Sequence, residues 1–421
     1  MASGLLDDKE TTKNRPSIQM CDRIRPAIVV SMLVIGLMSG TSADGIDAAL
    51  VAWPDSGETS PFRLLAHVEV PFSALLQKRI HALAAASLSG GPVLSECAAL
   101  DVELGELFAA AAIEAAKAAS VSLDAIDAVA SHGQTVAHHP EQRTTLQIGD
   151  PSVIAEHTGC TTIADFRSGD IALGGEGAPL APFFHLAAFS SSEENRVVLN
   201  LGGIANITWL PSSQDPDAVL AFDTGPANSL IDGVISLQTQ GQERMDRDGE
   251  RAGRGTVDAA LLEALLDDDY LQQAPPKSTG RERYGSAAAE ALVSDSHDAG
   301  RNSDDLVATL VAFTAQSIGA ACRELLPRED PTAKSIDRLI VGGGGAANPA
   351  LLDALAAALP GVAIDRFDAH GVPGQAAEAM AFSLMGRNAL LGLPNHLPRC
   401  TGARRAGVLG VVTPGKGRAK A

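Results

Sequence analysis

Apolar positions along the chain fall into two textures: short unbroken runs, and longer stretches with helical spacing. The runs Ala27–Met38 and Ile46–Trp53 have the length and continuity of buried strands, and Phe62–Pro71 closes a three-stranded meander. Helical spacing follows at Ala74–Ala85 and at Glu96–Ser120, the second rich in alanine. Ala125–Ser131 reads as a strand ending in Ser131-His132-Gly133-Gln134-Thr135, Val153–Thr158 as a helix and Thr161–Phe166 as a short strand. Near Arg167 the order begins again. Val197–Leu201, Ile204–Leu210 and Val219–Phe222 form a second group of strands. Helices are expected at Asn228–Gln238, Val257–Leu266 and Asp304–Leu326, then the strand Arg338–Val341 and the helix Pro349–Leu359. Ser190–Asn195, Ser212–Asp217 and Asp295–Asp305 have the polarity of loops.

Three strands followed by alternating helices and strands, stated twice, predict an α/β chain built from a duplicated domain. Such chains bind ligands where strand ends face each other across a cleft. Glycine turns stand at corresponding places, Gly40–Gly45 in the first half and Gly202–Gly203 in the second. A length of 421 residues agrees with two cores. Residues 1–26 are polar and mixed in charge and read as a disordered extension. Four carboxylates (Asp7, Asp8, Glu10, Asp22) precede the apolar run Ala27–Met38 and no small-residue cleavage site follows it, so the run is expected as a first strand in preference to a secretory signal. It is also too short to span a bilayer.

Composition narrows the function classes. A formal charge of −19 argues against nucleic acid, whose phosphates need lysine and arginine facing them. The five cysteines, Cys21, Cys97, Cys160, Cys322 and Cys400, are scattered and form no Cys-x-x-Cys pair. They indicate neither a disulfide framework nor a zinc site, as expected of a reduced, cytoplasmic protein.

Gly36-Leu-Met-Ser-Gly-Thr-Ser-Ala-Asp-Gly-Ile-Asp47 joins the first two strands. Its glycines let phosphate oxygens approach the backbone, Thr41 and Ser42 add donors, and Asp44 and Asp47 can hold the water shell of a phosphate-bound Mg²⁺. Taken alone it is also a tight hairpin with polar caps. In Ala221-Phe-Asp-Thr-Gly-Pro-Ala-Asn228 a strand ends at Asp223 and a helix starts with Asn228 as N-cap. Asp223 is then either a turn-former or a general base beside a bound phosphate. Gly202-Gly203 is a hairpin turn that by itself says nothing about phosphate. Val341-Gly-Gly-Gly-Gly-Ala-Ala-Asn-Pro349 is a strand–loop–helix junction whose bare surface suits an adenine or ribose, although its spacing is not a Rossmann fingerprint. Arg167 offers a planar fork for a carboxylate or phosphate, and His132 and Gln134 point a second polar cluster at the same cleft. His138, His139 and His185 have no third partner at metal-ligand spacing, and Gly410–Gly417 lacks the Ser or Thr of a Walker loop. Pro276-Lys-Ser-Thr-Gly-Arg-Glu282 is either a substrate wall or a surface turn.

Together these motifs, with Ala-Asp-Phe-Arg167, Gly177-Ala-Pro-Leu and Lys277-Ser-Thr-Gly-Arg-Glu, keep their order from about residue 33 to about 412. In that order the chain resembles the anhydro-N-acetylmuramic acid kinase family. The resemblance implies a duplicated actin-like (ribonuclease H-like) fold with a central nucleotide cleft. One domain would span 27–168 plus about 380–421 and the other 169–379. It implies ATP and Mg²⁺ as cofactors and a small anhydro sugar as substrate, 1,6-anhydro-N-acetylmuramic acid, phosphorylated on O6 while water opens the anhydro bridge. It further implies roles by position. Gly40, Thr41, Ser42, Ala43, Asp44, Gly45, Ile46 and Asp47 would hold the phosphates, with Gly202, Gly203, Gly343 and Gly344 also on the nucleotide. Asp223 would activate the water, Ser131, His132, Gln134 and Arg167 would face the sugar, and Glu378 with Asp44 would serve the metal. Two positions depart from the pattern, Glu176 where Gln is expected and Ala227 where Gly is expected. Levoglucosan kinase on the same scaffold is the alternative, a nucleotide-driven actin-like motor a third reading, and a homodimer is left open.

Overall fold

A computed structural model describes residues 31–85, 93–330, 333, and 335–416. The expected extension 1–26 and the start of the first strand at Ala27 lie outside the described residues, as does Cys21. Among the described residues twelve strands form two sheets. The first holds β1 (Ser31–Ser39), β2 (Gly45–Pro54), β3 (Arg63–Pro71), β4 (Ala128–His139), β5 (Thr144–Ile148), β6 (Thr162–Ala164) and, at its edge, β12 (Val411–Thr413). The second holds β7 (Arg196–Leu201), β8 (Ile204–Leu210), β9 (Leu220–Pro226), β10 (Arg338–Gly342) and β11 (Ala363–Arg366).

The orders β3-β2-β1-β4-β6 and β9-β8-β7-β10-β11 are the same. In each, three antiparallel strands are followed by two added in parallel. The duplicated actin-like fold expected from the sequence is present. β1 and β2 are apolar without alternation because both faces of the first sheet are covered. Ile35 and Leu37 pack with Leu104 and Phe108 of the helix Val93–Ala118. Val34 and Met38 face a core shared with Val198 and Ile340 of the second sheet and with the helices Ala181–Phe189 and Ala377–Leu390. The far face of the second sheet packs on the helices Asn228–Gln238, Ser303–Ala320 and Pro349–Ala358. The run Ser303–Glu329 is long and apolar enough to cross a membrane, but it is largely buried and serves as this core's central helix.

Several expectations are corrected. β4 does not end at Ser131 but continues to His139 and turns back as β5, because the polar motif lies in a paired, buried ladder. Asn228 is the first residue inside its helix and not its N-cap. Its amide instead donates to the Leu201 and Gly202 carbonyls at 3.0 and 2.9 Å. The loop expected at Asp295–Asp305 is mostly helix, Ser286–Asp298 and then the helix from Ser303. The helices Ala181–Phe189 and Ala377–Leu390 are packed on nearly every side, so neither shows the one apolar face of a surface helix, and this hid them in the sequence.

The helix Ala377–Leu390 lies unusually close to the first sheet. A methyl at Gly36 would strike the carbonyl oxygen of Ala379. The Ser383 hydroxyl donates to Val34 O and receives Trp53 Nε1, both at 2.8 Å. Gly36→Ala is therefore expected to cost about 1–3 kcal/mol by overpacking and to lower Tm by several degrees. An unchanged melting curve would show that the helix can move away.

Candidate active site

Four pieces of backbone meet where the two sheets share their core. The first is the β1–β2 loop. Ala43 closes it by donating to Gly40 O at 3.1 Å, with a left-handed φ of 49°, while its methyl is fully buried. Left-handed backbone costs an alanine about 1–2 kcal/mol, and the buried methyl offsets part of that. The carbonyls of Gly40, Ser42, Asp44 and Gly45 are taken by protein donors. Gln134 Nε2 reaches Gly40 O at 3.1 Å, Gln77 Nε2 and His81 Nε2 reach Ser42 O at 3.0 Å, Phe72 N reaches Asp44 O at 2.8 Å and Ser39 Oγ reaches Gly45 O at 2.7 Å. Oxygens that would repel a phosphate are thus held inward. Thr41, Ser42 and Asp44 stay exposed, and Ile46 points into the core, so Ala43 and Ile46 could meet a nucleotide only through their backbone.

The second piece is a carboxylate pair. Glu378 sits in the first turn of the helix Ala377–Leu390 and borders a cavity of about 210 Å³ shared with His185, Asn200, Asn206, Gly343 and Gln375. Its surroundings push its carboxyl pKa up, Arg167 pulls it down and Asp47 pushes it up again. Asp47 is held by His67 Nε2 at 2.9 Å, and Glu69 stands opposite it on β3. The expected partner of Glu378 was Asp44. Asp44 is exposed and accepts from Ser42 Oγ at 2.9 Å, and Asp47 lies in the field of Glu378.

Arg167 is the third piece. Its Nε donates to His132 Nε2 at 2.9 Å and its Nη1 to Gly177 O at 2.7 Å. His132 Nδ1 lies 2.8 Å from Gly133 O, so the ring must donate there and accept from Arg167 as a neutral tautomer. Burial and the guanidinium lower its pKa to about 3. Ser131, His132 and Gln134 are all buried. They reach the cleft through what they hold: Gln134 the Gly40 loop, His132 the arginine, while Ser131 Oγ accepts from Gly133 N at 3.2 Å. Burial, and after it the charge of Arg167, lowers the pKa of His138 at the end of β4. His185 is a core histidine, hydrogen-bonded to Thr208 Oγ1 at 2.9 Å, and burial lowers its pKa to about 3.

The fourth piece comes from the second sheet. Asp223 pairs with Asn206 across β8–β9, and Asn206 borders the cavity of Glu378. Its Oδ2 accepts from Ser278 Oγ and from Thr279 N, both at 3.0 Å, while its backbone N–H donates to Lys277 O at 3.2 Å. Tyr270 OH donates to its carbonyl at 2.9 Å. Burial raises the Asp223 pKa against these donors. The loop Pro276–Glu282, undecided from sequence, is thus bound to this carboxylate. Gly202 and Gly203 present their carbonyls to the N–H groups of Ala227, Asn228 and Ser229 at 3.0 Å. Their turn therefore caps that helix. Gly343 has φ +79°, and a side chain there would come within 2.5 Å of Asn200 Oδ1, whereas Gly344 faces open space. Ala227 has φ −121° and ψ −108°, and its methyl joins the core of the second sheet. Glu176 is exposed.

A buried neutral histidine makes stability depend on acid. The folded pKa of His185, about 3, lies below the ordinary 6.5, so its contribution is complete above 6.5 and is lost as pH falls towards 3. Between pH 7 and 4 the wild type is expected to lose more Tm than His185→Gln. Parallel curves would show that His185 titrates as in water.

The profile of the family described as anhydro-N-acetylmuramic acid kinase matches residues 32–415. A curated protein of that description from Xanthomonas campestris is 44% identical over 391 residues, covering 92% of this chain and 99% of its own. One from Streptomyces coelicolor is 42% identical over 394 residues, covering 91% and 94%. Among solved structures, component A of (R)-2-hydroxyglutaryl-CoA dehydratase from Acidaminococcus fermentans is 14% identical at a TM-score of 0.42, covering 84% of this chain and 98% of its own.

Proposed function

The chain belongs to the anhydro-N-acetylmuramic acid kinase family, and from that premise we propose the reaction of its cleft. It is an ATP-dependent kinase that phosphorylates 1,6-anhydro-N-acetylmuramic acid on O6 with hydrolytic opening of the anhydro bridge. The observation that carries this is Asp223. It is a carboxylate fixed through one oxygen by Ser278 and Thr279, in the middle of β9, which runs on to Pro226 and does not end at Asp223 as expected, and one strand from the cavity of Glu378. Water attacks the anomeric carbon and gives its proton to Asp223. The bond from that carbon to O6 breaks, and O6 takes the γ-phosphoryl group, leaving ADP and N-acetylmuramic acid 6-phosphate. Most of the remaining catalysis is positioning. A reaction of this kind serves the recovery of cell-wall sugars in the cytoplasm.

The residues present fit ATP and Mg²⁺. Four carbonyls of the β1–β2 loop are spent on protein donors, and Gly344 offers a side-chain-free face. Glu378 and Asp47 would hold the water shell of Mg²⁺, which when bound offsets the charge of the phosphates. Arg167 would receive the sugar, held from behind by His132 and Gly177. We divide the chain as its two sheets suggest, residues up to 168 with those from about 380 onward, and 169–379. The pairing of β12 with β6 and the seat of the helix Ala377–Leu390 on β1 support that division.

ADP release should depend on the anhydro sugar, with a product of the mass of N-acetylmuramic acid 6-phosphate. Levoglucosan, which lacks the lactyl carboxylate and the N-acetyl group, should be used poorly. ADP release without sugar would point to a motor, and a preference for levoglucosan would overturn the substrate.

A further inference from the structure

Lys277 is only 9% exposed, a rare state for a lysine. Its Nζ donates to the carbonyls of Tyr270 and Leu271 at 3.0 and 3.1 Å and lies 4.5 Å from the centre of the Tyr270 ring. Among the described residues no carboxylate forms an ion pair with it. Two carboxylates lie within its field, Asp223 and Asp268. Asp268 is already engaged by the Arg283 guanidinium and by Tyr284 OH at 2.8 Å. Asp223 is left as the negative charge that this ammonium balances.

The backbone makes the pairing rigid. Lys277 O accepts the Asp223 N–H, and the next two residues, Ser278 and Thr279, donate to the Asp223 carboxylate. Tyr270, whose ring and carbonyl hold the amine, also donates its hydroxyl to Asp223 O.

We propose that Lys277 is a positioning residue for the reaction, a buried ammonium behind Asp223 that keeps this carboxylate ionised in a cleft poor in water. The proposal rests on the reading of Asp223 as the base. Two buried opposite charges each favour the other's charged form, against the burial that disfavours both. The directions agree. Burial raises the Asp223 carboxyl while Lys277 lowers it, and burial lowers the Lys277 amine to about 8 while Asp223 raises it. The other groups facing Asp223 are Glu282, which raises its pKa, and the donors Ser278 and Thr279. Arg283 reaches the Tyr270 ring from the other side at 5.8 Å and is paired with Asp268.

The test is the pH profile of kcat on the anhydro sugar for wild type, Lys277→Met, Lys277→Gln and Lys277→Arg, with circular dichroism on each. Loss of the ammonium should move the acid limb up by about one pH unit or more, with the Michaelis constant for the sugar nearly unchanged. Lys277→Arg, which restores the charge, should return the limb towards its wild-type place. An unmoved limb with kcat lowered equally at every pH would overturn the proposal, since packing alone would do that. Unfolding of both neutral variants would overturn it too, by assigning the amine to the fold. Asp223→Asn is assayed alongside. If it keeps turnover, the base itself is misassigned. If it is inactive while the Lys277 variants keep the wild-type limb, only the role of Lys277 fails.

Discussion

Asp223→Asn is expected to lower kcat by about 10²–10⁴-fold, the usual cost of removing a general base, and to leave the fold and ATP affinity in place. The geometry explains why an amide cannot substitute. Ser278 Oγ and Thr279 N both donate to Oδ2. An asparagine keeps those bonds only by placing its oxygen there, which turns its NH₂ to where the other carboxylate oxygen stood. The water then meets a donor where it needs an acceptor. Stability at pH 7 should not fall. A carboxyl whose folded pKa is raised contributes stability only at low pH, and that contribution is gone once pH has risen past the folded value. Steady-state ADP release, calorimetric ATP binding and a melting curve check the three parts. Wild-type turnover in the variant would make Asp223 a turn residue.

The strand pattern and its duplication were readable because both sheets carry unbroken apolar strands between glycine turns. That texture follows from sheets covered on both faces. What escaped reading was whatever depends on partners distant in sequence. The helix Ala377–Leu390 shows no single apolar face because it is sandwiched between sheets, so its periodicity is silent. β5 and β11 are short, and their partners β4 and β10 decide that they are strands. His67 holds Asp47 from the neighbouring strand, and nothing in the local sequence ties the two together.

The site was legible by residue type, whereas the partners that hold each side chain were not. Ser131, His132 and Gln134 were expected to face the sugar, and a polar strand end next to a cleft suggests that. Buried polar groups must find partners inside the protein, and theirs are Gly133, Arg167 and the Gly40 loop. The loop at Lys277 read as a surface turn or a wall because its partner Asp223 is about fifty positions earlier, as the separation of 55 between Asp223 and Ser278 records. Gly202 and Gly203 give their carbonyls to a helix whose own first N–H groups need acceptors, a tie that a Gly-Gly turn does not reveal in sequence.

Arg167→Ala is expected to raise the Michaelis constant for 1,6-anhydro-N-acetylmuramic acid about ten- to a hundredfold and to affect levoglucosan much less. The muramic sugar brings a carboxylate towards a protein of net charge −19, and a local cation must offset that field. Arg167 is anchored, not free. Nε is spent on His132 and Nη1 on Gly177 O, and Glu378 lies in its field. A fork so engaged offers one edge to the lactyl carboxylate, hence one charge-assisted hydrogen bond of about 1.5–3 kcal/mol, or about ten- to a hundredfold in affinity. Truncation also strips His132 Nε2 of its donor, so some loss of Tm accompanies it. Arg167→Lys separates the two effects, because lysine keeps the charge but cannot hold His132, Gly177 and a ligand together. It should recover part of the muramic affinity without recovering Tm. Equal losses on both sugars would assign Arg167 to the shared ring or to the cleft wall. The measurement is a pair of Michaelis constants for each variant, taken with ATP saturating.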